Sequence, residues 1–130
     1  MENILNNIAE ATGSYNNIPV TITTDALAVT MIDGLKITKT ADKMVWAEGL
    51  LTYTIVVQND TNTVYSDPYI TDVLDISLVS FVEDSVYINS EKADTSKYSF
   101  DSSTKTLKIN LDNIAPSSSS TITFQVKKAI

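Results

Sequence analysis

Residues 50–59 read Leu50-Leu51-Thr52-Tyr53-Thr54-Ile55-Val56-Val57-Gln58-Asn59. Leu51, Tyr53, Ile55 and Val57 alternate with Thr52, Thr54, Val56 and Gln58, so the pattern repeats every two residues. A helix would return its apolar side chains every three or four residues, whereas an extended chain returns them every second one. The β-branched and aromatic content suits a pleated, half-buried surface. This stretch is therefore a strand with one face in a core. The same alternation closes the chain, where Ile122, Phe124 and Val126 are interleaved with Thr121, Thr123 and Gln125. Two such strands each present an apolar face, and a second layer must cover it.

Further strands follow on either side: Leu35–Thr40, Tyr69–Leu74, Leu78–Val82, Val86–Asn89, Tyr98–Phe100, Thr106–Leu111 and Ser120–Lys127. Turn chemistry separates them at Asn59-Asp60-Thr61-Asn62, Asp101-Ser102-Ser103-Thr104 and Ala115-Pro116-Ser117. Seven or eight short strands at this spacing predict an all-β fold, an immunoglobulin-like antiparallel β-sandwich spanning residues 34–130. Residues 1–33 read as an N-terminal extension. Its first part, Met1–Gly13, is a weak helix broken by asparagines or a disordered lead. Ile18–Thr24 and Ala26–Ile32 then supply one or two more strands before the Asp33-Gly34 turn.

Composition narrows the chemistry. At 130 residues, with 43% hydrophobic and 19% charged, the chain has enough apolar matter for one core and too little length for two. Nine basic against sixteen acidic residues give a net charge of −7, which disfavours nucleic acid and anionic membranes as partners. There is no histidine and no cysteine. That excludes imidazole bases, thiolate nucleophiles, disulfides and the usual zinc sites. Three glycines leave no place for a phosphate-cradling loop. No cofactor and no enzymatic activity are expected. The start, Met1-Glu2-Asn3-Ile4-Leu5, has neither the basic lead nor the apolar run of a signal peptide.

The successive pieces Thr38-Lys39-Thr40-Ala41-Asp42, Gly49 ahead of Thr52–Asn59, Thr71-Asp72-Val73-Leu74, Phe81–Val86, Leu111–Ser117 and Thr121-Ile122-Thr123-Phe124 stand in a distinctive order. With these, residues 35–127 resemble the conserved-repeat family catalogued as domain of unknown function eleven, immunoglobulin-like repeats of prokaryotic surface proteins. Some relatives of that family are similar to clostridial spore-appendage proteins. The resemblance implies an extracellular or spore-surface location. Appendage proteins made inside the mother cell need no signal peptide, which would suit this N-terminus. Members usually occur in tandem, whereas one copy stands here, so any length would have to come from assembly between chains.

Three sets of residues are candidate sites. Val20, Ile22, Leu27, Val29 and Met31 lie on the extension and can form a strand that adds to the sheet edge of a neighbouring copy. The plainer alternative makes this segment the first strand of its own sandwich. Lys39, Asn59 and Asp72 are candidates for a self-formed isopeptide bond, of the kind surface sandwiches under mechanical load often carry. In it Lys39 and Asn59 would join while Asp72 donates a proton, and such an acid must be kept neutral by apolar surroundings. The alternative is an exposed lysine, a turn asparagine and a solvated aspartate. Asp60, Asp67, Asp72 and Asp75 with Asn59 and Asn62 offer oxygen ligands for calcium, without EF-hand spacing, and a solvated acidic loop is the simpler reading. Trp46 reads as a cap on one end of the core, with an exposed interface anchor as the alternative, and Ser117 to Ser120 read as a flexible turn.

Two functions follow as expectations. The first is a structural fibre subunit that polymerises with itself head to tail through the N-terminal strand, alongside other surface or appendage subunits. The second is a spacer or binding module of a larger adhesin-like surface protein.

Overall fold

The computed structural model describes residues 8–24, 34–43, 46 and 48–129. Among these the strands are β1 (Ala9–Tyr15), β2 (Ile18–Thr23), β3 (Leu35–Ala41), β4 (Leu50–Asn59), β5 (Ser66–Val73), β6 (Val79–Phe81), β7 (Tyr87–Ile88), β8 (Glu91–Lys92), β9 (Tyr98–Asp101), β10 (Thr106–Asn110) and β11 (Ser118–Lys128). One antiparallel sheet has the order β2-β1-β5-β10-β9. The other runs β3-β4-β11-β7-β8, with β6 also pairing β11. Their inner faces share one apolar core, so the chain is an antiparallel, immunoglobulin-like all-β sandwich.

The long β4–β11 ladder carries the alternation seen in the sequence. Ile55 faces Ile122 and Tyr53 faces Phe124 across it, and all four side chains are buried. In the opposite sheet, Ile70 sits between Ala11 and Ile109, again all buried. Trp46 packs, partly buried, against the core and donates its indole N–H to the carbonyl of Gly49 at 3.3 Å, in keeping with a capping role. Ser118, Ser119 and Ser120 belong to β11, paired with Asn59, Gln58 and Val57. The turn expected over Ser117–Ser120 is confined to Pro116 and Ser117, where Ser117 has φ 59°.

The N-terminal segment corrects the expected domain boundary. Residues 9–23 are an integral hairpin of the first sheet, with β1 pairing β5 over Ala9–Ser14 and β2 pairing β1 throughout. Asn16 and Asn17 make the turn at φ 51° and 63°. Two successive left-handed residues match the right-handed twist of a tight hairpin, and asparagine tolerates that region. The inward residues of β1 are Ala9, Ala11 and Gly13, small because Tyr65 lies across them. Tyr65 is fully buried. Its hydroxyl donates one shared proton towards the carbonyls of Ala11 and Val20, 3.1 and 2.9 Å away. A weak helix or disordered lead is thus not what Ala9–Gly13 form.

Gly13 is required by this close approach. A Cβ there would lie 2.7 Å from Tyr65 Cε1 and 2.9 Å from the Ser66 carbonyl oxygen. Backbone on one side and a buried ring on the other leave little room to yield. Gly13→Ala is expected to cost about 1–3 kcal/mol as overpacking, read as a lowered denaturation midpoint with an unchanged m-value.

Tyr65 also predicts an alkaline limit. Burial, with a smaller contribution from nearby Tyr69, pushes its phenol above the ordinary value of 10.0. The unfolded chain therefore ionises first, and the folded state holds the extra proton. That stabilisation is complete below about pH 10 and is lost progressively above it. Thermal melts across the alkaline range should fall from that point, and less steeply for Tyr65→Phe.

Candidate functional site

Alternation along β3 buries Leu35 and Ile37 and turns the next inward position, Lys39, into the sandwich. On β5 the same alternation turns Ile70 and Asp72 inward. Lys39 belongs to one sheet and Asp72 to the other, so the two side chains approach each other across the core. Lys39 Nζ donates to Asp72 Oδ2 at 2.6 Å, and the side chains are 5% and 0% exposed.

Aromatic rings wall the contact. Lys39 Nζ lies 4.3 Å from the centroid of the Tyr53 ring and 5.7 Å from that of Phe124. These rings pack on each other at 5.5 Å. Ring faces attract the cation, but they do not replace its hydration. Burial holds the Lys39 ammonium below the ordinary lysine value of 10.5, against the opposing pull of the Asp72 charge and hydrogen bond. An ion pair taken this far from water loses much of its attraction to desolvation. The surroundings thus favour the neutral Lys39 amine more than water would.

The isopeptide expectation is corrected at Asn59. All three expected side chains point inward, but Lys39 faces Ile55 across the β3–β4 ladder while Asn59 faces Leu35. Four residues of strand put Asn59 about 13 Å further along. Its side chain is also committed. Nδ2 donates to the carbonyls of Thr63 and Ile114, both at 2.9 Å. Oδ1 accepts from the Thr61 amide at 3.0 Å and the Thr61 hydroxyl at 2.6 Å. Asn59 shapes the β4–β5 loop and takes no part in the Lys39 contact.

Val20 and Ile22 are placed within their own molecule. Val20 pairs with Gly13 and Ile22 with Ala11, and their side chains are 1% and 9% exposed in the shared core. Leu27, Val29 and Met31 lie outside the described residues. The calcium candidates do not converge: among the described residues no group of three acidic side chains is placed to hold a metal ion. Asp72 faces Lys39, Asp60 accepts from Gln58, and Asp75 accepts from Ser77.

Three aromatic residues have roles that the sequence pattern does not show. Tyr53 and Phe124 read only as alternating core residues, yet they form the wall around the Lys39 amine. Tyr65 follows a polar loop and carries no periodicity of its own.

This arrangement defines the molecule as an antiparallel sandwich with its charged contact inside rather than in a cleft. Comparison with protein-family models, with curated proteins and with solved structures finds no match to the chain.

Proposed function

We propose that the chain is a structural immunoglobulin-like module of a surface assembly, serving as a spacer or packing unit rather than as an enzyme. The observation that supports this reading is the use made of its polar side chains. Lys39 and Asp72 face each other, Asn59 ties a loop and Tyr65 ties the N-terminal hairpin. Each of these groups holds strand to strand or sheet to sheet. The resemblance to repeats of prokaryotic surface proteins points the same way, and an extracellular or spore-surface setting fits it. Fold resemblance alone would support much less.

A head-to-tail polymer built through the N-terminal segment is the second reading, and one observation favours it. Among the described residues β2 is an edge strand of its sheet, with Ile18 59% exposed. Exchange of the β1–β2 hairpin between copies would keep every native contact, and a non-closing exchange makes an open filament.

The two readings separate through a lock. Glu10 and Thr71 are direct partners on β1 and β5, and the chain has no native cysteine. Glu10→Cys with Thr71→Cys fastens the hairpin to its own body when oxidised. Electron microscopy and size-exclusion chromatography of the native chain and of both redox forms then decide. Filaments from the native and reduced chains, absent after oxidation, establish hairpin exchange. Monomers throughout establish the spacer.

A further inference from the structure

We propose that Lys39 and Asp72 condense into an amide, a covalent cross-link joining β3 of one sheet to β5 of the other. Geometry carries the inference. An amine nitrogen sits 2.6 Å from a carboxyl oxygen, with both side chains almost wholly out of water. The Tyr53 and Phe124 rings close round the nitrogen. Two groups that react only sluggishly when free in solution are held together for the lifetime of the fold. Holding two reactants together in this way replaces a bimolecular encounter by an intramolecular one, and well-oriented intramolecular reactions reach effective concentrations of about 10⁵ to 10⁸ M.

The chemistry balances without another reagent. In the apolar pocket the ammonium passes a proton to the carboxylate, which gives a neutral amine and a neutral acid. The Nζ lone pair attacks Cγ of Asp72, and a tetrahedral centre forms. A second proton moves from nitrogen to the acid hydroxyl, the Cγ–O bond breaks, and water leaves. Nothing is oxidised or reduced. The lowered basicity of Lys39, caused first by burial, supports the step because only the unprotonated amine attacks. An asparagine would release ammonia in place of water, so the leaving group also separates this bond from one involving Asn59.

The cross-link would serve the place that a disulfide serves in many immunoglobulin-like domains, namely a tie between the two sheets, in a chain without cysteine. The inference stands on this contact alone and holds whichever reading of the assembly is right.

The test is the intact mass of the full chain, folded, aged and then denatured, followed by proteolytic mapping. The expected result is a mass lower than the sequence sum by one water, with a branched peptide joining the Lys39 and Asp72 segments. Lys39→Arg should restore the full mass of its own sequence. A native chain of full mass overturns the proposal and leaves an ion pair. So does a water loss that maps to other residues or survives in Lys39→Arg. Should that variant fail to fold, the branched peptide of the native chain still decides.

Discussion

A chain beginning at Asp25 is expected to lose its cooperative unfolding transition. The deletion takes Ala9, Ala11, Val20 and Ile22 out of the core, and the valine and isoleucine alone contribute about 1.5–3 kcal/mol each. It also strips both acceptors, the carbonyls of Ala11 and Val20, from the buried Tyr65 hydroxyl. An unsatisfied buried polar group costs about 1–3 kcal/mol. Finally, β5 loses the ladder from Ala9 to Ser14 and becomes an edge, open to pairing with other chains. These losses rival the whole stability of an ordinary domain, about 5–15 kcal/mol. Circular-dichroism melts and the dispersion of amide resonances would show a broad, featureless response for the truncated chain. A synthetic peptide covering residues 8–24, added in trans, should bring the transition back. A sharp melt of the fragment alone would mean that residues 34–130 are complete without the hairpin.

That expectation departs from a sequence reading in which the domain starts after residue 33, and the reason is physical. Strands β4 and β11 were legible because their inward residues are large: Leu51, Tyr53, Ile55 and Val57 in one, Ile122, Phe124 and Val126 in the other. Each leaves a strong alternation in hydropathy. Strand β1 alternates just as strictly, but its inward residues are Ala9, Ala11 and Gly13. Small side chains give almost no apolar contrast with threonine and serine neighbours. They are small because the bulk filling that part of the core comes from elsewhere, on Tyr65. The Asn16-Asn17 pair was the local signal available, since consecutive asparagines suit a turn with two left-handed residues.

The candidate site was legible by halves. Alternation along a strand reports which face a residue takes, and Lys39, Asn59 and Asp72 share the parity of Ile37, Val57 and Ile70. Yet their polar character left an exposed lysine, a turn asparagine and a solvated aspartate as the competing reading. Alternation reports nothing on how two sheets are offset when they pack. The Lys39–Asp72 contact is set by that offset, whereas the distance from Lys39 to Asn59 is set by the β3–β4 register. Asn59 ends a strand and begins a loop, so its role as a loop organiser was one of the two readings such a position allows.

The second large effect concerns the same contact and separates an ion pair from a covalent tie by thermodynamics. Lys39→Met leaves a buried carboxyl without its cation, and Asp72→Leu leaves a buried amine without its anion. Each is expected to cost about 3–5 kcal/mol. The double replacement Lys39→Met/Asp72→Leu removes both buried charges and keeps much of the volume. If only an ion pair were lost, the double variant should equal or exceed the native chain in stability, because apolar substitutes for buried pairs are often neutral or stabilising by about 1–4 kcal/mol. A cross-link changes the outcome. Joining positions 33 residues apart restricts the unfolded chain by about 3–4 kcal/mol on the loop-entropy argument used for disulfides, and no apolar pair replaces that restriction. The expected order is therefore native chain, then double variant, then either single variant, measured as denaturant midpoints on matched samples. A double variant as stable as the native chain would show that the two sheets are held by burial and charge alone.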